Sequence, residues 1–343
     1  MRKLLLVLVG VFALTFQTKA QNDGFEAILL AGADAEKLTE AYISPAMNGL
    51  IYGMNNGWYH TAKVHKLFGF DISIGLNASI VPSKDEIFSF ASIGLSSNIS
   101  SSSLIGATVA GSENLEAPVT FSGTVQGQNV TTTFNMPGGV KESLPINAIP
   151  TPSVQFSMGL PWKMDAMVRL VPEVGSDDVK GNLIGIGLKK EITSWFGPME
   201  KTPLHVSLLA SYTSMNVDYD IQNESSISGT NQRAEFKLNS YNVEAIASLN
   251  FPIINIFGGI GYSSGNSELN MLGTYNLEYD TGQAAPNDTV TETVVDPLNL
   301  DFNASGLKTT VGARLSLGFF KIFGSYTLQE YNTINAGIAF SFR

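Results

Sequence analysis

The chain has 343 residues, with 20 basic and 30 acidic side chains, no cysteine, 44% hydrophobic residues and only 15% charged ones. The lack of cysteine excludes disulfides, thiol catalysis and thiolate metal sites, and the acidic balance argues against nucleic acid as a partner. A high apolar content without an apolar run of 18 residues after residue 20 is typical of strands with alternating faces, and it excludes membrane helices.

Residues 1–20 have the pattern of a secretory signal peptide. Arg2 and Lys3 precede an apolar stretch at residues 4–16, which is too short to span a bilayer, and Ala20 ends a small-x-small cleavage site. The mature chain is therefore expected to begin at Gln21. The alternative is that this stretch serves as a membrane anchor.

Residues 21–65 do not alternate and predict a small helical plug or periplasmic segment. Asp34 is a candidate N-cap for a helix over residues 35–42, and Ser44-Pro45 is a second helix start signal. Trp58 and Tyr59 are candidate plug residues, because the segment carries more apolar surface than a solvated tail would. The alternative is a flexible leader.

The period changes to two after this segment, which predicts an all-β transmembrane antiparallel β-barrel over residues 66–343. Residues 68–80 alternate without a break, long enough to cross a bilayer. A returning strand at residues 87–95 and a series of hairpins from residue 154 bring the count to eleven. Bacterial barrels usually have an even number, so 12 strands are predicted, within a range of 10–14. Either a further strand lies within 96–151, or the leader passes through the lumen.

The connections also have the pattern of an outer-membrane barrel. Turns at 160–163, 191–203, 250–253 and 319–321 are predicted on the periplasmic side, and they carry aromatic residues typical of an interfacial girdle. Residues 96–151, 218–235 and 265–305 are predicted to be long outer loops, the first with a hairpin of its own.

The last strand ends in two spaced aromatics, Phe340 and Phe342, on its apolar face. This ending resembles the C-terminal signal that the barrel insertion machinery recognises in Gram-negative outer-membrane proteins, although Arg343 follows the aromatic that usually ends it. The alternative is an ordinary amphipathic strand.

Charged residues on the predicted lumen face are expected inside, because Arg or Lys at mid-membrane on the lipid face costs about 2–4 kcal/mol. They form either a constriction that selects solutes or mutual pairs that fill a closed barrel. These candidates are Asp71, Asp165, Arg169, Lys189, Glu244, Lys308 and Arg314.

Neither an enzyme nor a cofactor or metal site is expected. The three histidines have no metal-ligand spacing, and His205 has no recognisable nucleophile or orienting partner for hydrolytic chemistry. The glycine-rich stretch at 258–261 lies within a predicted strand, so it lacks the helix that a phosphate-binding loop requires.

Several stretches together resemble an uncharacterised exported family of unknown function, thought to be outer-membrane barrels. They include the run Asn-Gly-Trp-Tyr-His-Thr-Ala-Lys at 56–63, residues 69–71, 152–161 and 185–189, and the last strand. The resemblance covers nearly the whole mature chain and implies a fold but no activity.

The leader is more distantly similar to that of long-chain fatty-acid outer-membrane transporters, through Ser44-Pro45-Ala46 and Asn48-Gly49-Leu50. The motif is continuous in that family and split here, so no ligand-binding residue is carried over. The expected function is passive transport of small solutes, hydrophobic ones among them, by a barrel in contact with outer-membrane lipid. The alternative is a closed structural or assembly barrel that meets partners through its outer loops.

Overall fold

The computed structural model describes residues 25–175, 179–221 and 228–342. The expected signal peptide and cleavage site lie outside these residues. The leader contains a 3₁₀ segment (Phe25–Asp34) and helix α1 (Ala35–Met54). Within the described ranges, no helix is both long and apolar enough to cross a membrane. The strands are β1 Phe70–Ile80, β2 Ile87–Ser89, β3 Ile99–Ser101, β4 Ile105–Ala107, β5 Ala117–Val125, β6 Gln128–Met136, β7 Ala148–Leu160, β8 Met164–Gly175, β9 Val179–Glu191, β10 Leu204–Asp220, β11 Ser228–Asn250, β12 Ile254–Asp280, β13 Thr289–Val295, β14 Leu298–Leu317, β15 Phe320–Leu328 and β16 Thr333–Phe342.

The main sheet closes into an antiparallel β-barrel. It has eleven strands, of which β13 pairs only with β12, and the pairing of β11 with β12 closes the other ten into a ring. The first and last strands of the ring are neighbours, with Phe70 opposite Phe342. The predicted fold is therefore confirmed. The ring has ten strands, which is two fewer than the 12 expected and lies at the lower end of the predicted range of 10–14.

The strand expected at residues 87–95 is the reason for the difference. Its first residues form β2, which pairs with β4 in a separate two-stranded sheet and does not join the ring. Without this strand the ring has an even number of strands. Strand β1 then begins at the end of the barrel where β16 ends. The predicted turns at 160–163, 191–203, 250–253 and 319–321 all lie at this end, which we call the short-turn end.

Alternation separates the two faces of the wall. Along β1, Ile72, Ile74 and Leu76 are 38–45% exposed on the outside, whereas Asp71 and Asn77 are 1% exposed on the inside. Exposed aromatics mark the short-turn end, and exposed tyrosines of β11 and β12 flank the apolar surface further along. An apolar band between aromatic girdles is typical of transmembrane barrels. The aromatics are Trp162, Trp195, Phe196, Phe251, Phe319, Tyr241 and Tyr262.

Several strands continue well past this band and form what we call the outer extension: 213–220 of β10, 228–240 of β11, 264–280 of β12 and 298–306 of β14. Most of the residues expected as loops at 218–235 and 265–305 are therefore strands. The inner face of the extension is apolar and buried, and it includes Phe236, Leu238, Leu269, Tyr275 and Phe302. The expected hairpin within 96–151 is confirmed as β5 and β6, with β3 beside them.

The leader, residues 25–69, occupies the inside of the barrel. Helix α1 is continuous through Pro45, so the second helix start predicted at Ser44 does not form. Asp34 precedes the helix but makes no side-chain cap. Burial would raise the pKa of its carboxyl, yet hydrogen bonds from Ser96 and Lys37 hold that pKa below its usual value. Fourteen of the 20 helix residues are buried, because the outer extension and the wall surround the helix.

Beyond α1 the chain runs down the lumen to the short-turn end. Gly57 lies beside Asn77 and Asn335 of the wall, and further along the Lys66 carbonyl accepts the Gly69 N–H in the turn that leads into β1. The leader therefore threads the lumen, which is the second of the two arrangements that the odd strand count allowed.

The plugged lumen as candidate functional site

Trp58 and Tyr59, the candidate plug residues, lie against wall positions that lack a side chain. A Cβ at Gly185 would lie 3.1 Å from the Trp58 ring, and one at Gly187 would lie 2.9 Å from it. Tyr59 lies in the same way beside Gly259. Trp58 is 1% exposed and Tyr59 7%. Inward glycines of β9 and β12 thus make room for the two largest side chains of this part of the leader.

Arg169, one of the predicted lumen charges, binds the leader main chain. Its Nη1 donates to the Met54 carbonyl at 3.1 Å, and its Nη2 donates to the Asn56 carbonyl at 2.9 Å. Nε donates to Gln155 at 3.0 Å, and the guanidinium lies 3.9 Å from the centre of the Trp58 ring. The side chain therefore combines three hydrogen bonds with a cation–π contact.

Glu244 and Lys308 form a second group beside the leader. The Lys308 ammonium lies 2.7 Å from Glu244 and donates to the Asn55 carbonyl at 2.8 Å. The Tyr59 hydroxyl donates to the other Glu244 oxygen at 3.0 Å. Because both charges are about 1% exposed, each requires the other, and the leader together with Asn242 of the wall supplies further hydrogen-bond partners.

Asp71 holds two histidines of the leader. His60 Nε2 lies 3.1 Å and His65 Nε2 lies 3.3 Å from the same carboxylate oxygen of Asp71. Arg314 reaches His60 from the other side, with 3.0 Å between Nη1 and Nδ1. The sequence pattern assigns no role to these two histidines. The signal that could have found them is that an inward-facing carboxylate needs a partner.

Asp165 and Lys189 complete the set close to the short-turn end. Their carboxylate and ammonium lie 3.0 Å apart. Asp165 also accepts the His65 main-chain N–H at 2.9 Å, and Lys189 donates to the carbonyls of Thr61 and Lys63 at 3.3 Å. The pair thus fixes the leader just before it turns into β1.

All seven predicted lumen charges point inward, and each has a hydrogen-bond or ion-pair partner. Two pairs, Asp165–Lys189 and Glu244–Lys308, bind each other, and every one of the seven also contacts the leader. The charges therefore do not line an open constriction in this state; they hold a plug. Within the described ranges, no group of three or more acidic or histidine side chains is arranged to hold a metal ion.

Phe340 and Phe342 lie outside the barrel, far from these groups. Phe342 is 43% exposed and stacks beside Phe70 and Phe319, with ring centroids 5.1 and 6.3 Å away. Phe340 packs against Phe319 and Phe320. Their outward orientation follows the predicted alternation, and their part in barrel insertion stays a prediction.

Several solved structures are similar in part. Ail of Yersinia pestis, in complex with the heparin analogue sucrose octasulfate, has a TM-score of 0.27 and 9% identity over 81% of this chain and 100% of its own. The translocator domain of the autotransporter NalP from Neisseria meningitidis has a TM-score of 0.27 and 11% identity, over 81% and 90% of the two chains. At these values the likenesses assign no activity.

A search among curated protein sequences finds no match to this chain. Residues 1–342 match a family described as a family of unknown function (DUF6588), and the chain belongs to that family.

Proposed function

We propose that the protein is exported by its signal peptide and forms a gated barrel in the Gram-negative outer membrane. The barrel lets small solutes pass when the leader shifts. The observation that carries this proposal is the leader itself, because residues 55–62 fill the lumen and are bound through main-chain carbonyls to Arg169, Lys189 and Lys308. Contact of the apolar band with outer-membrane lipid supports the location.

The nature of these contacts favours a movable plug. A hydrogen bond contributes only about 0.5–1.5 kcal/mol net, since water replaces the lost partner once the site is wet. The leader below α1 is attached mainly through such polar contacts, whereas Trp58, Tyr59 and Phe257 form only a small apolar cluster with four wall or leader neighbours. Partial displacement of this segment therefore costs much less than unfolding the ring.

A disulfide that locks the leader tests this function. The hydroxyls of Thr61 in the leader and Ser248 in β11 lie 3.3 Å apart. The chain has no cysteine of its own, so two introduced cysteines can pair only with each other. In T61C/S248C, oxidation should abolish solute flux in a liposome swelling assay, and reduction should restore it. The matched control is S79C/T333C, whose hydroxyls lie 3.1 Å apart on two neighbouring wall strands.

Oxidation of the control should leave flux unchanged, because both residues belong to the wall. Equal flux from oxidised and reduced T61C/S248C would show that the leader does not gate the barrel. No swelling by either form, with any solute, would contradict transport.

A second function, a closed structural or assembly barrel, is favoured by one observation. Helix α1 is buried in the apolar core that the outer extension forms, with Leu38, Met47 and Ile51 at most 1% exposed. Removing so much apolar surface from its partners is costly. Deleting residues 23–60 discriminates between the two functions: a gated barrel should then conduct ions far more in single-channel recordings, whereas a barrel that stays closed would favour the structural role.

A further inference from the structure

A set of small polar side chains lines one side of the lumen, in register across three neighbouring strands. Ser211 of β10 lies opposite Asn242 of β11, which lies opposite Ser263 of β12. Ser240 of β11 occupies the next inward position. We call these four residues the serine seam. Ser240, Asn242 and Ser263 are at most 1% exposed.

The seam is covered by the leader without being bonded to it. The hydroxyls of Ser211, Ser240 and Ser263 and the Asn242 carbonyl oxygen are buried with no hydrogen-bond partner among the described residues. A buried polar group without a partner costs about 1–3 kcal/mol, so four in one place require an explanation. Uncovering them to water or to a solute would relieve this cost.

The residues that flank and cover the seam would allow it to be uncovered when the leader moves. Gly187 and Gly306 lie beside it on β9 and β14, so the wall is bare of bulky side chains there. Trp58 covers Gly187, and its indole Nε1 is also buried without a partner among the described residues. Displacement of Trp58 would therefore expose a continuous polar surface.

The leader main chain is also held by wall strands away from the seam. Main-chain carbonyls from Met54 to Trp58 accept hydrogen bonds from Arg169 of β8, Gln155 of β7 and Asn77 of β1. Beyond the seam, towards the short-turn end, the Tyr59 hydroxyl donates to Glu244. A shift that uncovers the seam moves the Trp58 and Tyr59 side chains, so it breaks the Tyr59–Glu244 contact and the contact of Trp58 with Arg169. The hydrogen bonds from Gln155 and Asn77 involve only the leader main chain.

We propose that the serine seam lines the path of the transported solute, and that this solute is small, neutral and rich in hydroxyl or amide groups. The inference rests on the proposed transport function. Serine hydroxyls both donate and accept, whereas the Asn242 oxygen accepts, so the seam matches a polyol or amide. It carries no net charge, and the adjacent Glu244 and Lys308 neutralise each other at 2.7 Å.

Thiol accessibility tests the path, because the chain has no cysteine of its own. S240C and S263C on the seam are compared with S73C and S157C, which are buried inward serines of β1 and β7. The probe is the neutral reagent hydroxyethyl methanethiosulfonate, applied to the full chain in proteoliposomes. We expect at least tenfold faster labelling of the two seam positions, slowed by excess ribitol.

Swelling in ribitol is measured on the same samples. Flux together with faster labelling of S73C and S157C would overturn the seam as the path and leave the transport function standing. Seam labelling without flux of any solute would contradict the transport function and the path with it.

A second pair of variants removes hydroxyls without adding bulk. S240A/S263A eliminates two unpartnered groups, so ribitol flux should fall at least threefold while the unfolding temperature on a heat-shift gel does not fall. In the control S207A, the lost hydroxyl donates to the Ala62 carbonyl, so the unfolding temperature should fall. Unchanged ribitol flux in S240A/S263A would overturn the proposed role of the seam.

Discussion

The guanidinium of Arg169 lies 3.9 Å from the centre of the Trp58 ring. One residue belongs to the wall and the other to the leader, so this contact joins the two parts that must separate if the barrel opens. Both side chains are 1% exposed. A cation–π contact without competing water is worth up to about 2 kcal/mol, and Arg169 adds hydrogen bonds to the leader main chain.

Replacing Arg169 should loosen the plug without breaking the ring. In R169M the Met54 carbonyl loses its donor and the Asn56 carbonyl keeps only the Asn77 amide at 3.4 Å. The plugged state should therefore be destabilised by about 2–4 kcal/mol, because a buried polar group that loses its partner costs about 1–3 kcal/mol. Single-channel recordings should show more frequent opening. The control K237M removes a half-exposed lysine of the outer extension and should leave conductance unchanged; equal conductance of R169M and wild type would contradict this role.

The outward position of Phe342 predicts an effect on insertion. F342D places a charge on the lipid side beside Phe70 and Phe319, so the amount of protein in the outer membrane should fall severalfold, as measured by immunoblotting of membrane fractions. S341N changes the neighbouring residue, which lies opposite the inward Asp71, and should have little effect. A similar loss in both variants would show that facing lipid is not what matters.

The fold could be predicted from the sequence because alternation is a local signal. Every strand of the ring contributes a stretch in which apolar and polar residues alternate, and the inward direction of Asp71, Arg169 and Lys308 follows from it. Residues 87–95 alternate too but are not part of the ring. They were counted as a ring strand because alternation predicts a strand without indicating which strand it pairs with. This ambiguity accounts for the difference between the 12 strands expected and the ten in the ring.

The contacts of the site could not be predicted, because they join distant parts of the chain. His60 meets Arg314, and Tyr59 meets Glu244, across more than 180 residues. No periodic signal links such pairs. The outer extension was missed for a related reason: its strands at 218–220, 228–235, 265–280 and 298–305 are polar on one face because that face is exposed to water, and composition alone does not separate them from loops.

The path of the leader predicts how the barrel is oriented in the membrane. The leader begins at the end with the outer extension, which we expect to face the outside of the cell. Glu40 of α1 is exposed at the end with the outer extension, whereas Ser194 is exposed in a turn at the short-turn end. A membrane-impermeant maleimide should therefore label E40C on intact cells and S194C only after permeabilisation. The two single-cysteine proteins serve as controls for each other, and the reverse pattern would show that the barrel lies in the membrane the other way round.

Gly187 gives the sharpest test of the fit between leader and wall. A Cβ there would lie 2.9 Å from the Trp58 ring, closer than such contacts normally come, so G187V should push Trp58 away and raise conductance. Adding W58A removes the clash. If displacement of Trp58 is the cause, G187V/W58A should conduct no more than W58A alone, a coupling that a double-mutant cycle measures. Additive effects of the two substitutions would mean that Gly187 acts on the wall and not through Trp58.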